Sequence, residues 1–261
     1  MRVIFREGLL MGVFADKIRS TYVEKGMLAL FWAGQAGFII KTDEQKLIGL
    51  DLYLSDCCER YFGFKRIIPY ILEPHELDFD YIVSSHAHYD HFDVDAIPML
   101  MHGDTQFIGA MDTKAECDKA GMIDKVTFIK SGDEVSLGAN VSLKGVPCDH
   151  GTDTPDALGL LIKSGEKTIY YMGDTAYRED YYQNDEVKGA DVLLAPINGK
   201  FGNMNSEEAS DAAAILTPDM TIPYHFWTFA EHGGNPEEFK EKMTEKKLSY
   251  KLLRIGEGII I

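Results

Sequence analysis

Apolar residues along this chain come in short runs, some alternating with polar ones and some unbroken, separated by glycine-rich or charged turns. A two-residue alternation marks half-buried strands, and short unbroken apolar runs bounded by turn residues mark fully buried ones. Met27-Leu-Ala-Leu-Phe-Trp32 and Gly37-Phe-Ile-Ile-Lys41 read as strands around a Gly34-Gln-Ala-Gly37 turn, with Lys46–Tyr53 as the next strand. Phe79–Ser85, Lys125–Ile129, Ser142–Pro147, Gly159–Lys163, Thr168–Met172, Asp191–Pro196 and Met220–Tyr224 continue the series. Helical patterns fall near Asp95–Met101 and Thr113–Ala120, over Ser206–Leu216 and over the charged Pro236–Lys246. Ser206 is the expected N-cap of the third of these, and Pro218 closes it. Leu252–Ile261 reads as a last strand with a glycine turn. The first sixteen residues read as a helix packed on the domain. Arg6 and Glu7 break their apolar centre and no small-residue cleavage pattern follows, so a signal peptide is not expected. Two groups of strands, each trailed by helices, with no repeat, linker or low-complexity tract, predict one domain of mixed α and β structure.

Composition narrows the class. A length of 261 residues, 45% hydrophobic and 26% charged, suits a single layered domain with a sizeable core. No run approaches the ~18 apolar residues of a membrane span, and a cytoplasmic protein without a membrane partner is expected. Acidic residues outnumber basic ones 42 to 26, for a net charge of −16. Such a surface repels polyanions, so no nucleic acid partner is expected, whereas a small anionic substrate held by a few local cations is compatible with it. The four cysteines, at 57, 58, 117 and 148, contain no CxxC pair and form no disulfide framework by spacing. Cys148 is expected to be a buried thiol rather than a ligand.

The candidate chemistry lies in His86-Ala-His88-Tyr-Asp90-His91, which follows the strand-like Phe79–Ser85 and holds three of the eight histidines. His86 and His88, two apart, point the same way in extended chain, and a turn then brings Asp90 and His91 into reach. Imidazole and carboxylate are the ligands that zinc, manganese and iron take in hydrolytic sites. The hexapeptide is the HxHxDH pattern, and from about Leu28 to the end the chain resembles the metallo-β-lactamase superfamily. Three later blocks match in order: Pro147-Cys-Asp-His150-Gly, Gly173-Asp174-Thr and Ile222-Pro-Tyr-His225. The resemblance implies an α+β fold, a four-layer αββα sandwich with its site at one edge. It implies one metal ion on His86, His88 and His150 and a second on Asp90, His91 and His225, with Asp174 bridging. It further implies that the ions activate water, that Asp90 orients it or takes its proton, and that Asp51 hydrogen-bonds a ligand.

A narrower resemblance runs through blocks that are not ligands. Trp32-Ala-Gly-Gln-Ala-Gly37, Gly49–Cys58, Arg66-Ile-Ile-Pro69, Pro196-Ile-Asn198-Gly-Lys200-Phe-Gly-Asn203 and Pro223–Phe229 are similar to the L-ascorbate-6-phosphate lactonase group. That likeness implies opening of a sugar or sugar-phosphate lactone with one or two divalent ions per chain, manganese or zinc first and iron or nickel next, and a homo-oligomer. Arg66 and Lys200 are then the candidates to hold a phosphate, Asn198 to donate to a lactone or hydroxyl oxygen, and His232 to transfer protons or gate the site. Trp227 and Phe229 line or underlie it, whereas His75 and His102 have no ligand-like neighbours. Against the lactonase stand a phosphodiesterase on the same fold, an iron-dependent redox enzyme, and a non-catalytic metal-binding protein.

Overall fold

Every second residue of β1 (Leu28–Gly34) joins a different layer. Leu28, Leu30 and Trp32 enter a core shared by two sheets, while Ala29, Phe31 and Ala33 enter a second core beneath helices, as the strand period requires. The computed structural model describes residues 7–261, with side chains from Gly12 onward. The start of the expected N-terminal helix lies outside the described residues, and its remainder is α1 (Glu7–Ser20).

The first sheet continues with β2 (Gly37–Thr42), β3 (Leu47–Leu50), β4 (Tyr81–Ser84), β5 (Gln106–Ala110) and β6 (Val126–Ile129). The second contains β7 (Glu134–Ser136), β8 (Val141–Pro147), β9 (Leu158–Ser164), β10 (Lys167–Tyr171), β11 (Val192–Pro196) and β12 (Met220–Tyr224). β13 (Gly258–Ile260) then returns to the free edge of β1. In each sheet an antiparallel part gives way to a parallel part: β3 to β6 in the first, β10 to β12 in the second. Parallel strands need crossovers, and helices supply them. Between β3 and β4 lies α2 (Cys57–Phe62); α3 (Ile97–Leu100) and α4 (Lys114–Lys119) flank β5. α5 (Ser206–Leu216) joins β11 to β12, and α6 (Pro236–Glu245) follows β12.

Phe14, Ala15 and Ile18 of α1, Ile97 and Leu100 of α3, and Cys117 of α4 pack in the core outside the first sheet. Ala209, Ala212, Ala213 and Leu216 of α5, with Phe239 and Met243 of α6, pack in the core of the second. The architecture is the expected four-layer αββα sandwich. Among the described residues no helix is long and apolar enough to cross a membrane.

Several local expectations are corrected. The N-cap of α5 is Asn205, not Ser206: the Asn205 side chain accepts from the Glu208 amide and Glu208 reaches back to the Asn205 amide, the reciprocal box that satisfies two otherwise free donors. Ser206 Oγ instead donates to the Asn235 carbonyl. β3 stops at Leu50 because Asp51 turns into left-handed backbone, φ 46°. α2, β5 and β7 are elements that the sequence pattern does not predict.

Candidate metal centre

The centre assembles where strands end. Asp51 follows β3, His86 follows β4, His150 follows β8, Asp174 follows β10 and His225 follows β12. Loops beyond the carboxyl ends of parallel strands are where layered α/β folds place their sites. Backbone that no ordinary strand adopts helps aim the side chains: Gln35, Asp51, Phe201 and His225 all have positive φ, the kind of local strain that clusters at functional sites.

The structure brings all seven expected ligands together. In one half, His88 Nδ1 lies 3.1 Å from both His86 Nε2 and His150 Nε2. In the other, His225 Nε2 lies 3.2 Å from Asp90 Oδ2, and His91 Nε2 lies 3.4 Å from His225 Nε2. Asp174 reaches both halves: its Oδ1 is 3.2 Å from His91 Nε2, and its Oδ2 is 3.0 Å from His225 Nε2 and 3.8 Å from His150 Nε2. Each neutral imidazole carries one hydrogen on two nitrogens, so converging ring nitrogens leave lone pairs without donors. Burial holds the pKa of His86, His88 and His150 below the usual histidine range, which keeps those lone pairs available. Burial is the largest influence on His91 and His225 and acts to lower them, but the carboxylates of Asp174 and Asp90, joined by Asp51 at His91, together outweigh it, raising His91 well above its usual value and His225 to about 9. The carboxyls of Asp90 and Asp174 stay well below the usual range despite burial, Asp90 chiefly through His91 and Asp174 chiefly through His225. Asp174 Oδ1 has no well-aligned hydrogen-bond donor. Three imidazoles held neutral, and two more that face ionised carboxylates and give up a proton when a cation takes its place, suit divalent cations.

Asp51 stands behind this set. Wholly buried, it accepts from His91 Nδ1 at 2.6 Å, the Ser85 amide at 2.7 Å, the Tyr171 hydroxyl at 2.7 Å and Ser85 Oγ. That fixes the His91 ring with Nε2 turned into the centre, as carboxylates behind ligating histidines do.

A family model for the Beta-lactamase superfamily domain matches residues 52–226. The chain belongs to the metallo-β-lactamase superfamily. Within the superfamily, a UPF0173 metal-dependent hydrolase of Anaeromyxobacter sp. (strain K) is 29% identical over 237 residues, covering 85% of this chain and 83% of that protein. The solved structure of Igni18, a metallo hydrolase of Ignicoccus hospitalis, superposes with TM-score 0.72 at 22% identity over 90% of this chain and 98% of its own. An isothiocyanate hydrolase from Delia radicum gut bacteria superposes with TM-score 0.73 at 17% identity over 88% of this chain and 98% of its own. Both share the fold. Family and centre together make this chain a metal-dependent hydrolase. These likenesses reach the superfamily and the UPF0173 hydrolases, and do not single out the L-ascorbate-6-phosphate lactonase group.

Beside the superfamily's metal centre a cleft of about 250 Å³ opens, walled by Phe62, Phe64, Tyr89, Phe201, Phe229 and His232. Among the described residues no lysine or arginine lines it. The structure does not bring Arg66 to the cleft. Its guanidinium donates to the Tyr53 and Ser55 carbonyls at 2.8 and 3.1 Å and stacks 4.0 Å over the Tyr53 ring, pinning the loop after β3. Lys200 donates to the Glu231 carbonyl at 3.0 Å from an exposed loop. Asn198 is buried, gives its amide to the Lys200 carbonyl, and lines a separate groove of about 780 Å³ together with Trp227. His232 and Phe229 form the wall between cleft and groove.

His232 stacks on His225 with ring centroids 4.7 Å apart. Burial first, and then the neighbouring His225, push its pKa down to about 4, so it is neutral near pH 7. Its loop docks because a Cβ on Gly233 would lie 2.3 Å from the Asn198 carbonyl oxygen. Cys148 is turned away from the ligand atoms, with Sγ donating to the Asp174 carbonyl at 3.0 Å. His75 is exposed, and His102 lies 3.6 Å from the exposed Asp78.

Two neutral residues join the centre without having been singled out in the sequence. Asn203 Nδ2 donates to Asp174 Oδ2 at 2.7 Å, and Gln35 Nε2 donates to Asp90 Oδ2 at 2.8 Å. The only signal for either is its place in a glycine-flanked block, Gly34-Gln35-Ala-Gly37 and Gly202-Asn203.

Proposed function

We propose that this hydrolase acts on small, uncharged esters or lactones that carry an apolar group. The aromatic cleft beside the centre, lined by no lysine or arginine among the described residues, carries the proposal. His86, His88 and His150 would hold one divalent ion, Asp90, His91 and His225 a second, with Asp174 shared. Zinc and manganese suit this ligand set, as do iron and nickel. Bound there, the ions supply Lewis acidity toward a carbonyl oxygen and a water of lowered pKa.

The chain's own groups do the rest. The phenylalanine walls receive the apolar part of the substrate and exclude water around the reacting carbonyl. Asp90, ionised and at the cleft, accepts a proton as attack proceeds. His232, neutral and close beside Asp90 in the cleft wall, offers a hydrogen bond to the substrate. The phosphate of a sugar-phosphate lactone would find neither Arg66 nor Lys200 in the cleft, so a lactone ring fits the proposal and its phosphate does not. The same missing cations, with the net charge of −16, weigh against a phosphodiester. The structurally similar isothiocyanate hydrolase is named for a small, neutral, electrophilic substrate class, which belongs in the same panel.

The test loads the protein with zinc or manganese and compares aryl esters, γ-lactones, benzyl isothiocyanate, L-ascorbate 6-phosphate and bis(p-nitrophenyl) phosphate. Neutral acyl substrates should lead the phosphorylated ones by at least ~100-fold in kcat/KM, about 2.7 kcal/mol of discrimination. Fastest turnover of either phosphorylated compound overturns the proposal. Phe201, half-exposed at the cleft rim, gives a local check. Phe201→Ala should raise KM for an aryl ester about three- to tenfold with kcat held, since one aromatic contact contributes ~0.5–1.5 kcal/mol; an unchanged KM would remove this wall from the binding site.

A further inference from the structure

Gln35 is 1% exposed, sits at the tip of the β1–β2 turn with φ 50°, and extends its side chain into the metal centre. Its amide nitrogen lies 2.8 Å from Asp90 Oδ2, 3.1 Å from His225 Nε2 and 3.4 Å from His232 Nδ1. Its amide oxygen is buried with no partner. The backbone is held independently, because the Gln35 carbonyl accepts from the Trp32 indole at 3.1 Å and the His225 amide at 3.2 Å. The turn therefore does not need the side chain, and the side chain leaves an acceptor unsatisfied to stay where it is.

The orientation of the amide follows from Asp90. Reversed, the amide oxygen would face a carboxylate oxygen at hydrogen-bond distance, acceptor against acceptor. With nitrogen inward, the amide has two hydrogens and no lone pair to give. One hydrogen goes to Asp90. The second has two ring nitrogens in reach, and His225 Nε2 is not an acceptor in either state of the site. When it carries a proton it donates to Asp174 or Asp90, which lie 3.0 and 3.2 Å away. When it holds a metal its lone pair is taken. The second hydrogen points to His232 Nδ1, 3.4 Å away, and an Nδ1 that accepts it leaves the ring's proton on Nε2. No residue among those described partners His232 Nε2, and the ring forms the wall of the cleft.

We infer that Gln35 is a positioning residue that holds Asp90 and His232 in one hydrogen-bonded frame and fixes His232 as the Nε2–H tautomer, presented to the cleft as a hydrogen-bond donor rather than as a base. Its part in turnover rests on the cleft being the reaction site. The tautomer itself can be read without any substrate, so failure of the two is distinguishable.

The experiment is long-range ¹H–¹⁵N correlation of the histidine side chains near pH 7, on metal-free and zinc-loaded protein, with His232→Gln to assign the ring. Expected for the parent chain is a protonated Nε2 and an unprotonated Nδ1 in both states. Gln35→Ala, which removes the donor, should give a mixture of tautomers. Gln35→Glu, which puts an acceptor in its place, should shift the proton to Nδ1. With a substrate from the neutral panel, both variants should lose about tenfold or more in kcat with KM within about threefold, the pattern of an interaction made in the transition state. A parent ring protonated on Nδ1 overturns the inference, and so does a His232 signal that Gln35→Ala leaves unchanged.

Discussion

Asp174→Asn should lower the bound metal from two equivalents toward one and reduce kcat/KM by more than ~1000-fold, the loss of about 4 kcal/mol of transition-state stabilisation. The side chain faces both halves of the centre, with Oδ1 toward His91 and Oδ2 between His225 and His150. Asparagine keeps the shape, and its side-chain oxygen still accepts from Asn203, so the fold should survive. What disappears is the negative charge that draws both halves together. Metal content after dialysis and turnover of a neutral ester read the result. Two equivalents retained, with activity within tenfold of the parent, would mean that Asp174 is packed beside the centre rather than shared by it.

Asp51→Ala should act more on stability than any other single substitution near the centre. The carboxylate has no solvent contact and accepts from four donors, those of His91, Tyr171 and the amide and hydroxyl of Ser85. Removing one partner of a buried charged pair costs about 3–5 kcal/mol because the other is left uncompensated. A urea midpoint displaced by that amount is expected, with metal affinity reduced about 10- to 100-fold as the His91 ring loses its orientation. Asp51→Asn retains an acceptor and should recover part of both losses. If Asp51→Ala unfolds at the parent midpoint, the four hydrogen bonds contribute little, and the positive φ of Asp51 would then be an ordinary turn.

The side chains that converge on the candidate centre are legible in the sequence because their chemistry and spacing are. His86, His88, Asp90 and His91 declare themselves within one turn, and His150, Asp174 and His225 fall in matched blocks at strand ends. Asp51 was readable for a related reason, as an acid at the end of an apolar strand. Arg66 and Lys200 show the opposite case. A positive charge in a conspicuous block says nothing about which way the side chain turns, and backbone carbonyls of nearby loops took both. Gln35 and Asn203 were hidden because neutral amides carry no titratable or ligand signature. The cap of α5 was displaced by one residue, since Asn205 and Ser206 are both good caps and only the reach to Glu208 separates them. Helix α2 and strands β5 and β7 are held by the tertiary frame rather than by a pattern of their own.

The candidate metal centre lies at strand ends of both sheets of the sandwich, and neither sheet owns a complete half of it. His86 and His88 belong to the loop after β4 of the first sheet, while His150 comes from the second; Asp90 and His91 come from the first, while Asp174 and His225 come from the second. An ion held by either half would thus work as a rivet through both leaves of the sandwich. A ligand that binds only the folded form adds about 2.7 kcal/mol to stability at a hundredfold excess over its dissociation constant, so metal supply would set how firmly this rim is held as well as how fast the protein turns over substrate. Starved of metal, the chain would keep the two cores described above and lose the tie across this rim, which is then expected to part first.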